Sequence, residues 1–136
     1  MTQDLISDML TRLRNAILAK HNFVILKFSK QVCEILKIFT KEGYIVGYNI
    51  SKNFYPQIKV FLKYKGSWIK TPVISELKRI SKSGQRIYSN YKNFFRLIKY
   101  LKYNQGIAII STSSGIISHI KASYYKKGGE VICYLK

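Results

Sequence analysis

Apolar residues recur at helical spacing near the start of the chain, with Leu5, Met9, Leu13, Ala16 and Ile17 on one side and Asp8, Thr11, Arg12 and Asn15 on the others. This predicts an amphipathic helix from about Asp4 to Lys20. Asp4 and Asp8 precede Arg12, Arg14 and Lys20, an order that complements the helix dipole. The run from Phe23 to Phe28 predicts a strand. Ser29 then offers an N-cap for a second helix with Val32, Ile35, Leu36 and Phe39 as its apolar stripe, and Gly43 stops it. From Tyr44 the period changes to two. Tyr44, Val46, Tyr48 and Ile50 alternate, as do Ile58, Val60, Leu62 and Tyr64 after a turn around Ser51 to Pro56, which predicts a hairpin with Lys59 and Lys63 on its other face.

Gly66 reads as the boundary between two lobes. Beyond it, strands are expected near Lys70 to Ile80, Arg86 to Tyr88, Gly106 to Ser111 and Glu130 to Leu135. A short helix starting near Gly115 and carrying Ile116, Ile117 and Ile120 would bridge the last two. In the Tyr- and Lys-rich stretch from Asn90 to Tyr103, the spacing of Phe94, Phe95, Ile98 and Leu101 fits a helix packed on the core. The expected fold class is α/β in the broad sense (α+β). Residues 1–66 would form a helix-strand-helix-hairpin lobe and residues 67–136 a β-rich lobe with a short helix.

Charge narrows the function. The 136 residues carry 24 Lys and Arg against 6 Asp and Glu, a net +18, while 47% hydrophobic residues supply enough apolar material for a core. Such a surface implies a polyanionic partner. The chain shows no secretory signal pattern and no apolar run of the ~20 residues needed to cross a bilayer, so a soluble protein is expected. A membrane-surface role is disfavoured, because both predicted helices carry core-type stripes. Cys33 and Cys133 lie far apart with apolar neighbours and read as buried free thiols. His21 and His119 lack metal-ligand spacing, no phosphate-binding glycine motif is present, and Ser118 beside His119 is no evidence of a nucleophile and base. No catalysis, cofactor, metal or small-molecule substrate is expected.

Three stretches carry the binding chemistry. In Gly106 to Gly115 an apolar strand runs into Ser111, Thr112, Ser113 and Ser114, followed by Gly115. Small hydroxyl side chains can reach ribose hydroxyls and base edges in the shallow RNA minor groove, and amides of a following helix could hold a phosphate. The same residues could equally be capping that helix. In Leu77 to Tyr88, Lys78, Arg79, Lys82 and Arg86 would project from a hairpin turning at Ser83-Gly84, toward a phosphate backbone or simply into solvent. In Lys126 to Tyr134, Gly128-Gly129 turns into the last strand. Glu130 there could hold Lys126 or an arginine, or accept from a base amine.

Taken in order, Asp4 to Ala16, Leu77 to Tyr88, Gly106 to Gly115 and Gly128-Gly129-Glu130 resemble the signatures of ribosomal protein number eight of the small subunit, in its bacterial and plastid form. The resemblance spans essentially the whole chain. It implies a two-lobed, non-enzymatic protein that binds the central domain of 16S rRNA early in subunit assembly, beside other small-subunit proteins. It further implies RNA contact at Ser111, Thr112, Ser113 and Gly115, with Tyr88 and Glu130 near that loop and Thr11, Arg12, Arg14 and Asn15 matching the first-helix signature. The family usually has proline at the position of Ser83 and aspartate at that of His119. Lysine in preference to arginine, with abundant Ile, Tyr, Phe and Asn, fits an A/T-rich genome, hence a plastid or a bacterium of similar base composition. The competing reading is a free-standing regulatory RNA binder, for example a translational repressor of its own messenger.

Overall fold

A computed structural model of the chain describes residues 5–52, 54–98 and 105–136. Asp4 and residues 99–103 of the expected Tyr- and Lys-rich helix lie outside the described residues. The chain divides into two compact units, Met1–Ser75 and Glu76–Lys136.

In the first unit, α1 (Leu5–Leu18) and α2 (Lys30–Lys41) pack on a three-stranded antiparallel sheet. Its strands β1 (Phe23–Lys27), β2 (Ile45–Ser51) and β3 (Gln57–Leu62) lie in the order β1-β3-β2. The expected stripes supply most of the core: Met9, Leu13 and Ala16 from α1, and Val32, Ile35, Leu36 and Phe39 from α2, are buried, while Leu5 and Ile17 are only half-buried and Ile6 and Leu10 join the α1 face instead. They meet Leu26, Ile58, Val60 and Leu62, and each such side chain contributes about 1.5–3 kcal/mol.

The phase expected for β2 is corrected. Ile45 pairs with Leu62 and Gly47 with Phe61, so a bulge leaves Val46 as the extra residue. Ile45 is therefore buried while Val46 is 64% exposed, and only Tyr48 and Ile50 keep the expected alternation. A small hairpin, β4 (Tyr64–Lys65) with β5 (Thr71–Pro72), completes the unit. The Tyr64 hydroxyl donates to the His21 carbonyl and Lys70 donates to the Asn22 side chain at 2.7 Å, which ties this hairpin to the α1–β1 connection. Gly66 lies inside the hairpin, and the division between units falls after Ser75.

Both helices end in the same six-residue motif. At α2, Tyr44 N–H bonds the Phe39 carbonyl at 2.9 Å and Gly43 N–H that of Thr40 at 3.1 Å, with Gly43 at φ +83°. At α1 the equivalent bonds run from His21 to Ala16 and from Lys20 to Ile17, so Lys20 holds the left-handed position.

The second unit is built on β10 (Gly129–Leu135). Along one edge lies β8 (Ile107–Thr112), followed outward by β9 (Gly115–Ser118). The other edge is shared by β6 (Leu77–Arg79), opposite Cys133 to Leu135, and β7 (Tyr88–Ser89), opposite Gly129 and Glu130. Leu77 to Ser89 is thus one interrupted edge strand, not a strand pair, and a loop at residues 82–86 leaves it. Buried Ser81 closes the base of that loop, its hydroxyl accepting from Ile87 N–H at 2.9 Å and donating to the Ile87 carbonyl at 3.2 Å.

One face of the sheet is covered by a 3₁₀ turn at Tyr91–Asn93, by α3 (Phe94–Leu97) and by α4 (His119–Tyr124). Phe94, Ile98, Ala108, Ile110, Ala122, Val131 and Tyr134 form the core there, with Tyr91 partly buried against it. The helix expected from Gly115 starts only at His119, because Ile116 and Ile117 pair with Ser111 and Ile110 as strand residues. Cys133 is a buried free thiol, pushed up to about 12 by burial, whereas Cys33 is only half-buried.

Candidate nucleic-acid interface

The hydroxyl cluster is the tip of the β8–β9 hairpin. Thr112 and Gly115 are the last paired residues, so Ser113 and Ser114 form the turn. Gly115 takes φ +109°, a conformation that suits glycine at the end of a tight turn. No helix follows directly, so helix amides do not line this loop; the expected phosphate site from them is withdrawn, as is the helix-capping alternative.

The four hydroxyls have different fates. Thr112 Oγ1 donates to the Gly115 carbonyl at 2.9 Å and accepts from Ser114 N–H at 3.2 Å, closing the turn from within. Ser114 Oγ accepts from the Lys127 ammonium. Ser111 is half-buried in the ladder. Ser113 is exposed, and its hydroxyl has no partner among the described residues.

Behind the tip, Tyr88, Glu130, Ser111 and Ile116 are successive cross-strand partners and stand in one row across β7, β10, β8 and β9. Two glycines permit this closeness. A Cβ on Gly129 would sit 2.1 Å from the Ser111 carbonyl oxygen, and one on Gly128 would sit 2.6 Å from that of Ser89. Glu130, largely shielded, accepts from Arg86 Nη1 at 3.0 Å, which selects an arginine over Lys126 as its partner. Tyr88 is 70% exposed.

Other residues singled out in the sequence fall elsewhere. Lys82 stands exposed in the loop closed by Ser81, bonded through its backbone to Gln85. Lys78 and Arg79 lie on β6, opposite Tyr134 and Cys133, roughly 14 Å and 10 Å respectively along β10 from the tip row at ~3.4 Å per residue. Lys78 pairs with Glu76 at 2.9 Å, and Arg79 donates to the Ser81 carbonyl. Thr11, Arg12, Arg14 and Asn15 occupy the exposed face of α1 in the first unit. Arg12 bridges to Asp8 at 3.1 Å.

His119, where an aspartate was the expectation, is buried, and burial pushes its pKa down to about 4. Its Nδ1 accepts from Ala108 N–H at 3.1 Å. The start of α4 keeps a cap all the same, since Ser118 Oγ accepts from Lys121 N–H at 3.3 Å. Sequence reasoning missed this inward histidine and the cluster of Asn90, Asn93 and Arg96 that borders Tyr88.

Comparison with known proteins finds relatives that match nearly the whole chain. A family profile described as "Ribosomal protein S8" matches residues 4–135. "Small ribosomal subunit protein uS8c" of Gracilaria tenuistipitata var. liui is 45% identical over 136 residues, covering 99% of each chain. The protein of the same name from Guillardia theta is 44% identical over 140 residues, again covering 99% of each. "Small ribosomal subunit protein uS8" of Dictyoglomus thermophilum is 45% identical over 132 residues, 96% of this chain and 95% of that protein.

Proposed function

We propose, on the premise that this chain belongs to the ribosomal protein S8 family, that it binds the central domain of 16S rRNA through the β8–β9 tip and helps the small subunit assemble. It is a structural, non-enzymatic component of the small ribosomal subunit, of plastid type as its uS8c relatives are.

The observation that carries the reading is the prefolded tip. Thr112 fixes the turn by bonds internal to it, and Ser113 is left to present a hydroxyl and a small, close-fitting backbone outward. A-form RNA offers ribose hydroxyls and base edges in its wide, shallow minor groove, where a small polar tip can approach closely. Ser111, Thr112, Ser113 and Gly115 contact the groove, Tyr88 and Glu130 extend the contact along the row, and Arg86, steered by Glu130, meets the flanking phosphates. Lys78, Arg79 and Lys82 add positive potential, and Thr11, Arg12, Arg14 and Asn15 form a second contact surface on α1. Other small-subunit proteins are its neighbours.

The test is binding of the full chain to a short irregular stem cut from the central domain of small-subunit rRNA, at near-physiological ionic strength. Ser113→Ala should weaken this stem several-fold while leaving a generic duplex unchanged. Equal loss on both RNAs would mean that the tip reads nothing. The logarithm of affinity should fall with that of salt by roughly 0.7–0.9 per phosphate contact.

A further inference from the structure

Tyr88 ends the tip row, and from there the chain builds a second feature. Ser89 closes β7, and Asn93 N–H bonds back to the Asn90 carbonyl at 3.0 Å, which starts the 3₁₀ turn. Phe94 and Ile98 anchor the following residues in the core, so the turn is held in place. Tyr88, Ser89, Asn90, Asn93, Arg96 and Leu97 line an open cavity of about 350 Å³.

The lining has a specific chemistry. Tyr88 presents most of its ring and Leu97 supplies an apolar wall. Asn90 and Asn93 are exposed amides able both to donate and to accept, and Arg96 is an exposed guanidinium. From Leu77 to Gly129 the sequence has eleven Lys and Arg and no Asp or Glu. The two acidic side chains at the ends of that stretch are already paired, Glu76 with Lys78 and Glu130 with Arg86. The charge of Arg96 thus has no carboxylate to meet among the described residues of this unit.

We propose that this cavity receives one unpaired nucleotide of the RNA held by the tip. Its base lies on the Tyr88 ring, its edge meets the Asn90 and Asn93 amides, and its phosphate meets Arg96. The inference rests on the reading of the tip as an RNA interface. A flat aromatic face, two amides and a guanidinium match the parts of a splayed-out nucleotide, which is how sequence-specific RNA recognition usually proceeds. Position agrees, since Tyr88 stands two strand spacings, roughly 10 Å, from Ser111 along the row. A bare duplex would satisfy Arg96 with phosphate but would leave the ring and amides unused.

The experiment uses the full chain and two rRNA stems, one with its unpaired nucleotides and one with them deleted to give a continuous helix. Arg96→Gln and Tyr88→Ala should each weaken the irregular stem about tenfold but the continuous helix only about twofold, through the loss of one phosphate or groove contact, with Asn93→Ala smaller in effect. Tyr88→Phe should bind as wild type. With 2-aminopurine at the unpaired positions, the wild-type chain should quench its fluorescence and Tyr88→Ala should not. All substituted residues are exposed, and thermal melts will show that the variants fold. If Arg96→Gln and Tyr88→Ala bind both RNAs like wild type, or weaken both equally, the cavity is not a nucleotide site, even where Ser113→Ala still discriminates. If Ser113→Ala changes neither RNA, the tip reading itself fails.

Discussion

His119 makes the stability of the second unit depend on pH in a range where carboxylates contribute little. Burial holds the folded-state pKa near 4, and Nδ1 must keep its lone pair free to accept from Ala108 N–H. In the unfolded chain the imidazole titrates at its ordinary 6.5. Above that value both states are neutral and stability is complete. As pH falls, only the unfolded state takes up the proton, so stability declines by ~1.4 kcal/mol per unit until the folded form also protonates near pH 4. At pH 5 the loss is about 2 kcal/mol, and over the full window about 3 kcal/mol. Urea unfolding of the full chain from pH 7.5 to 5, followed by near-ultraviolet circular dichroism, reads this directly, with His119→Gln as the non-titrating control. Glu76 interferes little above pH 5. Its carboxyl is held below the usual range by hydrogen bonds from Lys78 and Tyr134, so its contribution is lost only at lower pH. A wild-type curve as flat as that of His119→Gln would refute the buried neutral imidazole.

Other substitutions probe the tip and the helix ends. Gly129→Ala drives a methyl to 2.1 Å from the Ser111 carbonyl oxygen, and should destabilise the β8–β10 ladder by at least ~3 kcal/mol in urea titration and abolish binding to the irregular stem. Lys20→Gly relieves a left-handed lysine at φ +56° and should stabilise the chain by about 1 kcal/mol in the same assay. Thr112→Val keeps shape but removes both turn-closing bonds. In a double-mutant cycle it should shrink the effect of Ser113→Ala on RNA affinity, whereas additivity would show that Thr112 does not act by positioning the turn.

The amphipathic helices were legible because their stripes depend only on period, and Val32, Ile35, Leu36 and Phe39 are all interior. Period failed where pairing decided. Val46 looks like a core residue by alternation, but a bulge turns it outward and brings Ile45 in. Ile116, Ile117 and Ile120 have a spacing that a helix could use, yet two of them complete a hairpin with β8 and only the third lies on α4. The hydroxyl tip was legible as a motif. Its partners were not, since Glu130 and Arg86 are 44 residues apart and meet only because both flank the same end of β10. The Asn90, Asn93 and Arg96 group had no signal either, as nothing in the spacing places it against Tyr88.

The tip solves a problem that charge alone cannot. A surface carrying +18 is drawn to any polyanion, and that attraction carries no sequence or shape information. Discrimination needs groups whose hydrogen bonds fail when the wrong surface is presented, and such groups must be rigid, or they adapt to every partner. In the proposed reading, the second unit meets both needs with side chains that hold one another in place. Thr112 and Ser114 spend their hydrogen bonds holding the turn, Gly128 and Gly129 let three strands close up behind it, and Arg86 is steered by the one carboxylate at that end of the sheet. Ser113 and the Tyr88 ring are left outward-facing, and the turn that carries Ser113 is fixed by the bonds its neighbours make. If the tip is the RNA reader we propose, lysines elsewhere can vary in number with little effect on what is recognised, because they set how strongly the chain is drawn to RNA and the tip sets where it stops.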